Sequence, residues 1–338
     1  MNTLEDFLKI VPIVEESRNY WFFRTEGGKL FSPFFQQDII ALDYADIPDE
    51  KVSWLISGNI NERKIEFITE IYPKHRRPSI IISNLKRFYI GMKVGDFVLI
   101  PAASGKSVAV GRIESDVKAI EGVKRIRKDG KIYIDRKYQR SRKMTWLVQE
   151  RKSFISYKLY GLFNTHQTIS RANDYSEWIN NLVYTVYKQD DKYHYVINVK
   201  QKYGLAGKTV FGCFSDLLTL TDDFLKEERI SENTDGVEIK IAISTPGWLT
   251  FIGEAGTVVA AILLLIFFVT GGTGKFKSND ISLELSSGGL LKRMNEFLNS
   301  EKDRKIKDAL IQKIKSLEID NPADVIELLN SVNKKNQN

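Results

Sequence analysis

A single cysteine, Cys213, serves 338 residues. That excludes an intramolecular disulfide and a thiolate-rich metal site, fits a reducing compartment, and leaves the thiol a packing role. Histidine is nearly as scarce. His75, His166 and His194 fall in separate stretches without metal-ligand spacing, so capping or surface roles are expected, with no metal and no cofactor. No serine, histidine and acid set suggests a nucleophilic enzyme. Lys106 and Ser107 follow Gly105, but Ile100 stands where a phosphate loop needs its first glycine, and the flanking pattern is strand, turn, strand. The first twenty-two residues carry acids where a secretory signal needs a basic region, so the N-terminal part is expected to be cytoplasmic.

Charge is missing from one stretch only. Gly247 to Gly274 holds one ionisable residue, Glu254, while Val258 to Val269 is twelve consecutive apolar residues and Ala255 to Gly274 offers twenty uncharged ones. Twenty residues at ~1.5 Å each match ~30 Å of hydrocarbon, so the stretch predicts one transmembrane helix in a bacterial inner membrane. Trp248 and Phe251 would mark one interface, Lys275 and Lys277 the other. Lys275, Lys277, Lys292 and Arg293 also ask for the cytoplasmic side, as the N-terminal part does. A re-entrant segment turning back at Gly271-Gly272-Thr273-Gly274 reconciles the two. Glu254 either sits at the interface or faces a protein-lined interior; in a symmetric oligomer it would form a carboxylate ring, with Thr257 and Thr270 as further pore positions.

What is abundant is positive charge, and it is concentrated. Lys124 to Lys152 contains twelve Lys/Arg against Asp129, Asp135 and Glu150, a local +9 that leaves −2 for the rest of a chain of net +7. A solvated, aggregation-resistant barrel edge needs fewer cations, so a polyanion ligand is expected. Arg125, Arg127, Lys137, Arg140, Arg142 and Lys143 are the candidate phosphate contacts. Tyr133, Tyr138 and Trp146, interleaved with them, could stack on bases. Anionic lipid is the rival polyanion, set back because the run lies far from the apolar stretch.

The remaining pattern is α+β. Tyr20 to Phe23, Ile39 to Leu42, Asp96 to Pro101 with Ser107 to Ile113 as a hairpin, Ile132 to Ile134 and Met144 to Gln149 read as strands of a mostly β, barrel-like module. A helix is expected near Pro48 to Leu55 and a longer one over Leu159 to Tyr187. Val196 to Val199, a helix over Val210 to Leu225 and Val237 to Ile243 suggest a small β-α-β unit. The tail should be helical, with Ile306, Leu310, Ile314 and Leu317 on one stripe and a last helix after Asn321-Pro322. The expected division is a sensing domain over 1–190, a β-α-β linker over 191–246, a transmembrane or re-entrant segment over 247–274 and a helical tail over 275–338.

Four segments carry a resemblance: Tyr20-Trp21-Phe22-Phe23 with Glu26-Gly27-Gly28, Asp38 to Leu42, Val94 to Ile100, and Val110-Gly111-Arg112-Ile113. Together they resemble the PUA/EVE-like barrels attached to bacterial restriction and defence proteins. The resemblance covers residues 18–150 and implies nucleic-acid binding, with a ligand site near Trp21, Phe23 and the basic run. Barrel, linker and span together resemble membrane effectors of bacterial anti-phage defence systems such as the Hailong type. That resemblance implies a non-enzymatic homo-oligomeric ion channel, guessed as a tetramer, gated by a single-stranded DNA oligomer or a nucleotide made by a partner nucleotidyltransferase. Two alternatives stand beside it. One is a membrane-tethered nuclease using Asp235, Glu238 and Lys240, whose spacing is also explained by strand alternation; the other is a non-enzymatic membrane adaptor.

Overall fold

The structure, a computed structural model, describes residues 4–9, 11–126, 129–151, 155–199, 206–242, 247–270, 275–278, 281–284, 289–301 and 304–317. The chain divides into two compact units, one of residues 17–183 and one of residues 1–16 with 184–338. Both are mixed α+β.

In the first unit the described residues form nine strands in the order of the chain: β1 Tyr20–Phe23, β2 Ile39–Leu42, β3 Phe97–Pro101, β4 Ser107–Ile113, β5 Lys118–Ala119, β6 Val123–Ile126, β7 Ile132–Asp135, β8 Arg140–Arg151 and β9 Ile169–Arg171. Aromatic and β-branched residues dominate β1, β3 and β4, which favours a pleated, buried surface. These strands build a half-barrel sheet in the order β2-β8-β4-β3-β1-β9, with β5 also on β8. β1 runs parallel to β3, Trp21 opposite Val98; every other pairing in this sheet is antiparallel. β8, twelve residues long, serves β4 with one half and β2 with the other. The register slips between Val110 and Gly111, and a Cβ on Gly111 would lie 2.6 Å from the Trp146 ring, so only glycine lets the indole lie across β4 there. Among the described residues β6 and β7 pair only with each other and form a separate two-stranded ribbon.

Helices Phe31–Gln36, Asp49–Ile56, Glu62–Ile71 and Pro78–Lys86 cover this sheet, the last continuing into a π turn over Arg87–Gly91. Their apolar faces bury Phe34, Val52, Leu55, Ile68, Ile81 and Leu85 against Phe23, Ile40 and Ile100. Each such side chain contributes about 1.5–3 kcal/mol. The helix expected near Pro48 is found as Asp49–Ile56, and Phe31–Gln36 is a further helix ahead of β2. One expectation changes. The long helix over Leu159 to Tyr187 is instead a turn at Tyr160–Phe163, then β9 paired with β1, then a helix at Ser176–Val183.

In the second unit β10 Val186–Gln189, β11 Lys192–Val199, β12 Glu238–Ala242 and β13 Gly247–Gly253 form a sheet in the order β10-β11-β13-β12. β11 and β12 are each antiparallel to the β13 between them, hence parallel to one another, and the helix Gly207–Glu227 makes the crossover. This is the expected β-α-β arrangement with a third strand inserted. The short helix Leu4–Leu8 joins this unit and not the barrel.

The apolar stretch is the main correction. Its first seven residues, Gly247 to Gly253, are β13, paired on both sides through Trp248, Leu249, Thr250 and Phe251. The chain bends at Glu254-Ala255, and the helix that follows, Gly256–Val269, has 14 residues. At ~1.5 Å per residue it spans about 21 Å, short of a bilayer core. No helix among the described residues is long and apolar enough to cross a membrane. The helix is apolar on all faces because protein surrounds it: Val258 to Phe267 are buried against Leu4 and Phe7, against Phe214 and Leu217 of the crossover helix, and against Phe251 of the sheet. The helix Arg304–Ser316 adds Leu310 and Ile314 to the same core, as its stripe predicts. The last helix expected after Pro322 and the glycine turn at 271–274 lie outside the described residues.

Candidate functional site

A pocket of about 220 Å³ opens in the first unit, lined chiefly by Phe23, Leu30 and Leu42 on its apolar side and by Glu26, Asp43 and Tyr138 on its polar side. Strand ends and one turn place these groups. Phe23 ends β1, Leu42 ends β2 with Asp43 beyond it, and Tyr138 precedes β8. The turn after β1 brings Glu26 over the opening. It takes three successive positive φ values, +48° at Glu26, +63° at Gly27 and +95° at Gly28. Gly28 passes so close to Ala103 that any Cβ would clash with its backbone, so glycine is required. Glu26 is not glycine, and holding a glutamate in the left-handed region costs on the order of 1 kcal/mol.

The strained carboxylate has partners. The Tyr138 hydroxyl donates to Glu26 Oε1 at 2.5 Å. Arg125 Nη1 lies 3.9 Å from the other carboxylate oxygen and 2.7 Å from Asp135, so the base of the β6–β7 ribbon is tied to the lip of the pocket. Burial, with the Glu26 carboxylate next to it, pushes the Tyr138 phenol well above its ordinary value, so it stays a donor throughout the physiological range. Desolvation in the cleft raises the Asp43 carboxyl and the Glu26 charge raises it further, while its own backbone amide, Lys137 and His75 pull the other way. Arg24 donates to the Thr165 carbonyl at 3.0 Å and, with His166 and Thr168, closes the far wall.

The residues expected to bind ligand divide sharply. Phe23 lines the pocket. Trp21 does not: it is 1% exposed, and its indole N–H donates to Asp96 Oδ2 at 2.8 Å, a carboxylate that also accepts the Lys93 and Asn19 amides. Arg140 and Arg142 are interior. Arg140 caps the carbonyls of Tyr44 and Ile47 and reaches Asp49 at 2.6 Å. Arg142 donates to the carbonyls of Phe88, Ser115 and Met92 at 2.8, 2.9 and 3.0 Å. A guanidinium offers five donors in a fixed fork, which suits it to closing several backbone carbonyls at once, and neither side chain is placed to meet a phosphate. Trp146 is half-buried, stacked on Phe35 at 5.6 Å. Lys137 and Lys143 are exposed, and Arg127 lies outside the described residues.

The expected pore positions fall at a bend and along the helix that follows it. Glu254 is exposed at a bend, Thr257 is buried at the helix start, and the Thr270 hydroxyl donates back to the Ile266 carbonyl at 2.8 Å. Glu238, central to the nuclease alternative, pairs with Lys192 at 3.0 Å, which lowers its pKa. Among the described residues no three His, Cys, Asp or Glu side chains are grouped to hold a metal.

Phe23 and Tyr138 stood among the expected ligand contacts and Glu26 among the residues of the barrel resemblance, but Asp43 did not. Its only signal was an acid directly after the apolar strand Ile39 to Leu42. No curated protein and no solved structure matches the chain. Over residues 22–173, β1 to β9 of the barrel unit, the chain is similar to a family described as a domain of unknown function (DUF8426).

Proposed function

We propose that the barrel unit is a binding module that draws one nucleobase, of a single-stranded DNA oligomer or a free nucleotide, into the pocket beneath Glu26. The observation that carries this reading is the pairing of an apolar wall, Phe23, Leu30 and Leu42, with two carboxylates and a phenol at one rim. The volume, about 220 Å³, is below that of pockets for drug-sized ligands and matches a single planar ring system. Glu26 and Asp43 accept hydrogen bonds, so they select a ring edge bearing amino or imino donors, as carboxylates do with the cytosine amine. The same carboxylates repel phosphate, which keeps the sugar-phosphate outside, toward exposed Lys137. Strain held at Glu26 agrees with a preorganised site.

Titration calorimetry with single nucleosides and with short single-stranded DNA tests this. Binding by the wild type, with at least a tenfold loss in Glu26→Gln, supports the reading. It fails if no nucleobase-bearing ligand binds, or if binding survives Glu26→Gln combined with Asp43→Asn unchanged. Gating of a membrane pore by such a ligand loses its support in the buried fourteen-residue helix and is not part of the proposal.

A further inference from the structure

Three exposed isoleucines stand together on the β6–β7 ribbon. Ile126 is 66% exposed, Ile132 69% and Ile134 37%. The pairing explains why they share a face. Ile126 lies opposite Ile132 and Lys124 opposite Ile134, so period-two alternation puts these four on one side, and Val123, Arg125, Tyr133 and Asp135 on the other. The second side is committed inward: Val123 is fully buried and Arg125 is paired with Asp135. The isoleucine face is thus the outer face of a ribbon that, among the described residues, pairs with no other strand. Around it the charge is one-sided. Among the described residues from Lys124 to Lys137, Lys124, Lys131 and Lys137 are exposed against Asp129, while Arg125 is paired with Asp135 and Arg136 with Glu121. Lys124 and Lys131, both exposed, flank the isoleucines directly.

We propose that this ribbon docks on an anionic lipid bilayer, with Ile126 and Ile132 inserted below the headgroups and Lys124 and Lys131 held at the phosphate level. Charge complementarity calls for a polyanionic surface, and the apolar chemistry selects which one. Aliphatic, β-branched side chains present no flat π face on which a base could stack. They gain from leaving water for hydrocarbon. Ile126 and Ile132 form the pair beside the turn, and Ile134 lies two residues back, roughly 7 Å up the strand, so the most exposed pair is also the outermost. That matches the ~5–10 Å to which interfacial apolar faces enter the headgroup and acyl boundary. Such docking needs no spanning helix and stands independently of the nucleobase pocket.

Co-sedimentation of the full chain with vesicles tests it. The wild type should bind phosphatidylcholine vesicles containing phosphatidylglycerol and release from them at high salt. Neutral phosphatidylcholine vesicles should retain it at least tenfold less well. Ile126→Ser with Ile132→Ser should reduce binding about tenfold or more, and Lys124→Ala or Lys131→Ala about fivefold each. All four positions are exposed, so the melting temperature should stay constant. Absence of wild-type binding to anionic vesicles would overturn the proposal, as would equal binding to neutral ones. So would a double isoleucine variant that keeps vesicle binding but loses affinity for duplex DNA, which would assign the ribbon to a nucleic-acid groove.

Discussion

Replacing Arg142 separates a structural cation from a ligand-binding one. Its side chain is 1% exposed, and it supplies donors to three carbonyls, of Phe88, Ser115 and Met92, within 3.0 Å. One of those carbonyls, of Phe88, lies within the π turn at Arg87–Gly91 and another, of Met92, directly follows it. The ion pair to Asp116, at 3.8 Å and with that carboxylate almost fully exposed, adds little. In Arg142→Ala each carbonyl left without a donor costs about 1–3 kcal/mol, offset in part by water entering the space vacated. A total near 4 kcal/mol follows, within the range for breaking a buried charged network. For a unit of this size about 2–4 °C accompany each kcal/mol, so calorimetry should show melting lowered by roughly 8–16 °C. Arg142→Lys keeps the stem and charge but cannot span three carbonyls, and should fall about midway. Oligonucleotide affinity, measured cold where the variant is folded, should keep its wild-type salt slope, because no phosphate contact is lost. An Arg142→Ala protein that melts normally but binds DNA with one fewer counterion released would refute the reasoning.

Three further outcomes follow from single residues. Asp43 has a folded pKa raised above the ordinary 3.8, so its ionisation costs stability that is absent below that value and grows as pH rises through the folded one. Asp43→Asn should therefore be more stable than wild type near neutrality, with the gap closing below about pH 3.8 in urea titrations; a gap that widens in acid would contradict the assignment. Leu265, fully buried in the Gly256–Val269 helix, should cost about 2–5 kcal/mol as Leu265→Ala in denaturant unfolding. A cost under ~0.5 kcal/mol, typical of surface positions, would take that helix out of the core. Burial pushes the Cys213 thiol up to about 12, so a disulfide reagent at pH 8 should label it only after denaturation. Rapid labelling of the folded chain would place the cysteine elsewhere.

Legibility in the sequence tracked the range of the interactions involved. The β3–β4 hairpin and the crossover helix Gly207–Glu227 were readable because alternation, turn glycine and helical spacing are local signals. β9 was not, since three residues, Ile169 to Arg171, gain their strand only from Trp21 to Phe23 some hundred and fifty positions earlier. The apolar stretch misled for a different reason. Hydropathy averaged over twenty residues cannot see that Gly253, Glu254 and Gly256 divide it into a strand, a bend and a short helix. A Cβ on Gly256 would strike Tyr193 and Leu8 at 2.7–2.8 Å, a packing demand that no lipid-facing position imposes. Of the pocket, the aromatic wall was legible and the carboxylate rim was not, because Glu26 and Asp43 meet only when β1 and β2 are brought to one end of the barrel.

The basic run shows how charge in a sequence separates into two jobs on folding. Arg140, Arg142 and Met144 alternate along β8 and all three are buried, so the pleat carries both arginines to the side of Met144 while Lys143, between Arg142 and Met144, faces water. Burying a cation is tolerable only where hydrogen bonds replace its hydration, and the guanidinium fork finds carbonyls at Tyr44, Ile47, Phe88 and Met92 to do so. Arg125 and Arg136 are tied to Asp135 and Glu121. The lysines at 124, 131, 137 and 143 are left at the surface. A long, strongly hydrated ammonium gains nothing from the interior that water does not already supply, so the same fold that consumes the arginines exports the lysines. The exposed charge of this run is therefore smaller than the local +9 of the sequence, and among its described residues lysines carry most of it. Of the expected phosphate contacts, Lys137 and Lys143 share in it and the β8 arginines Arg140 and Arg142 do not.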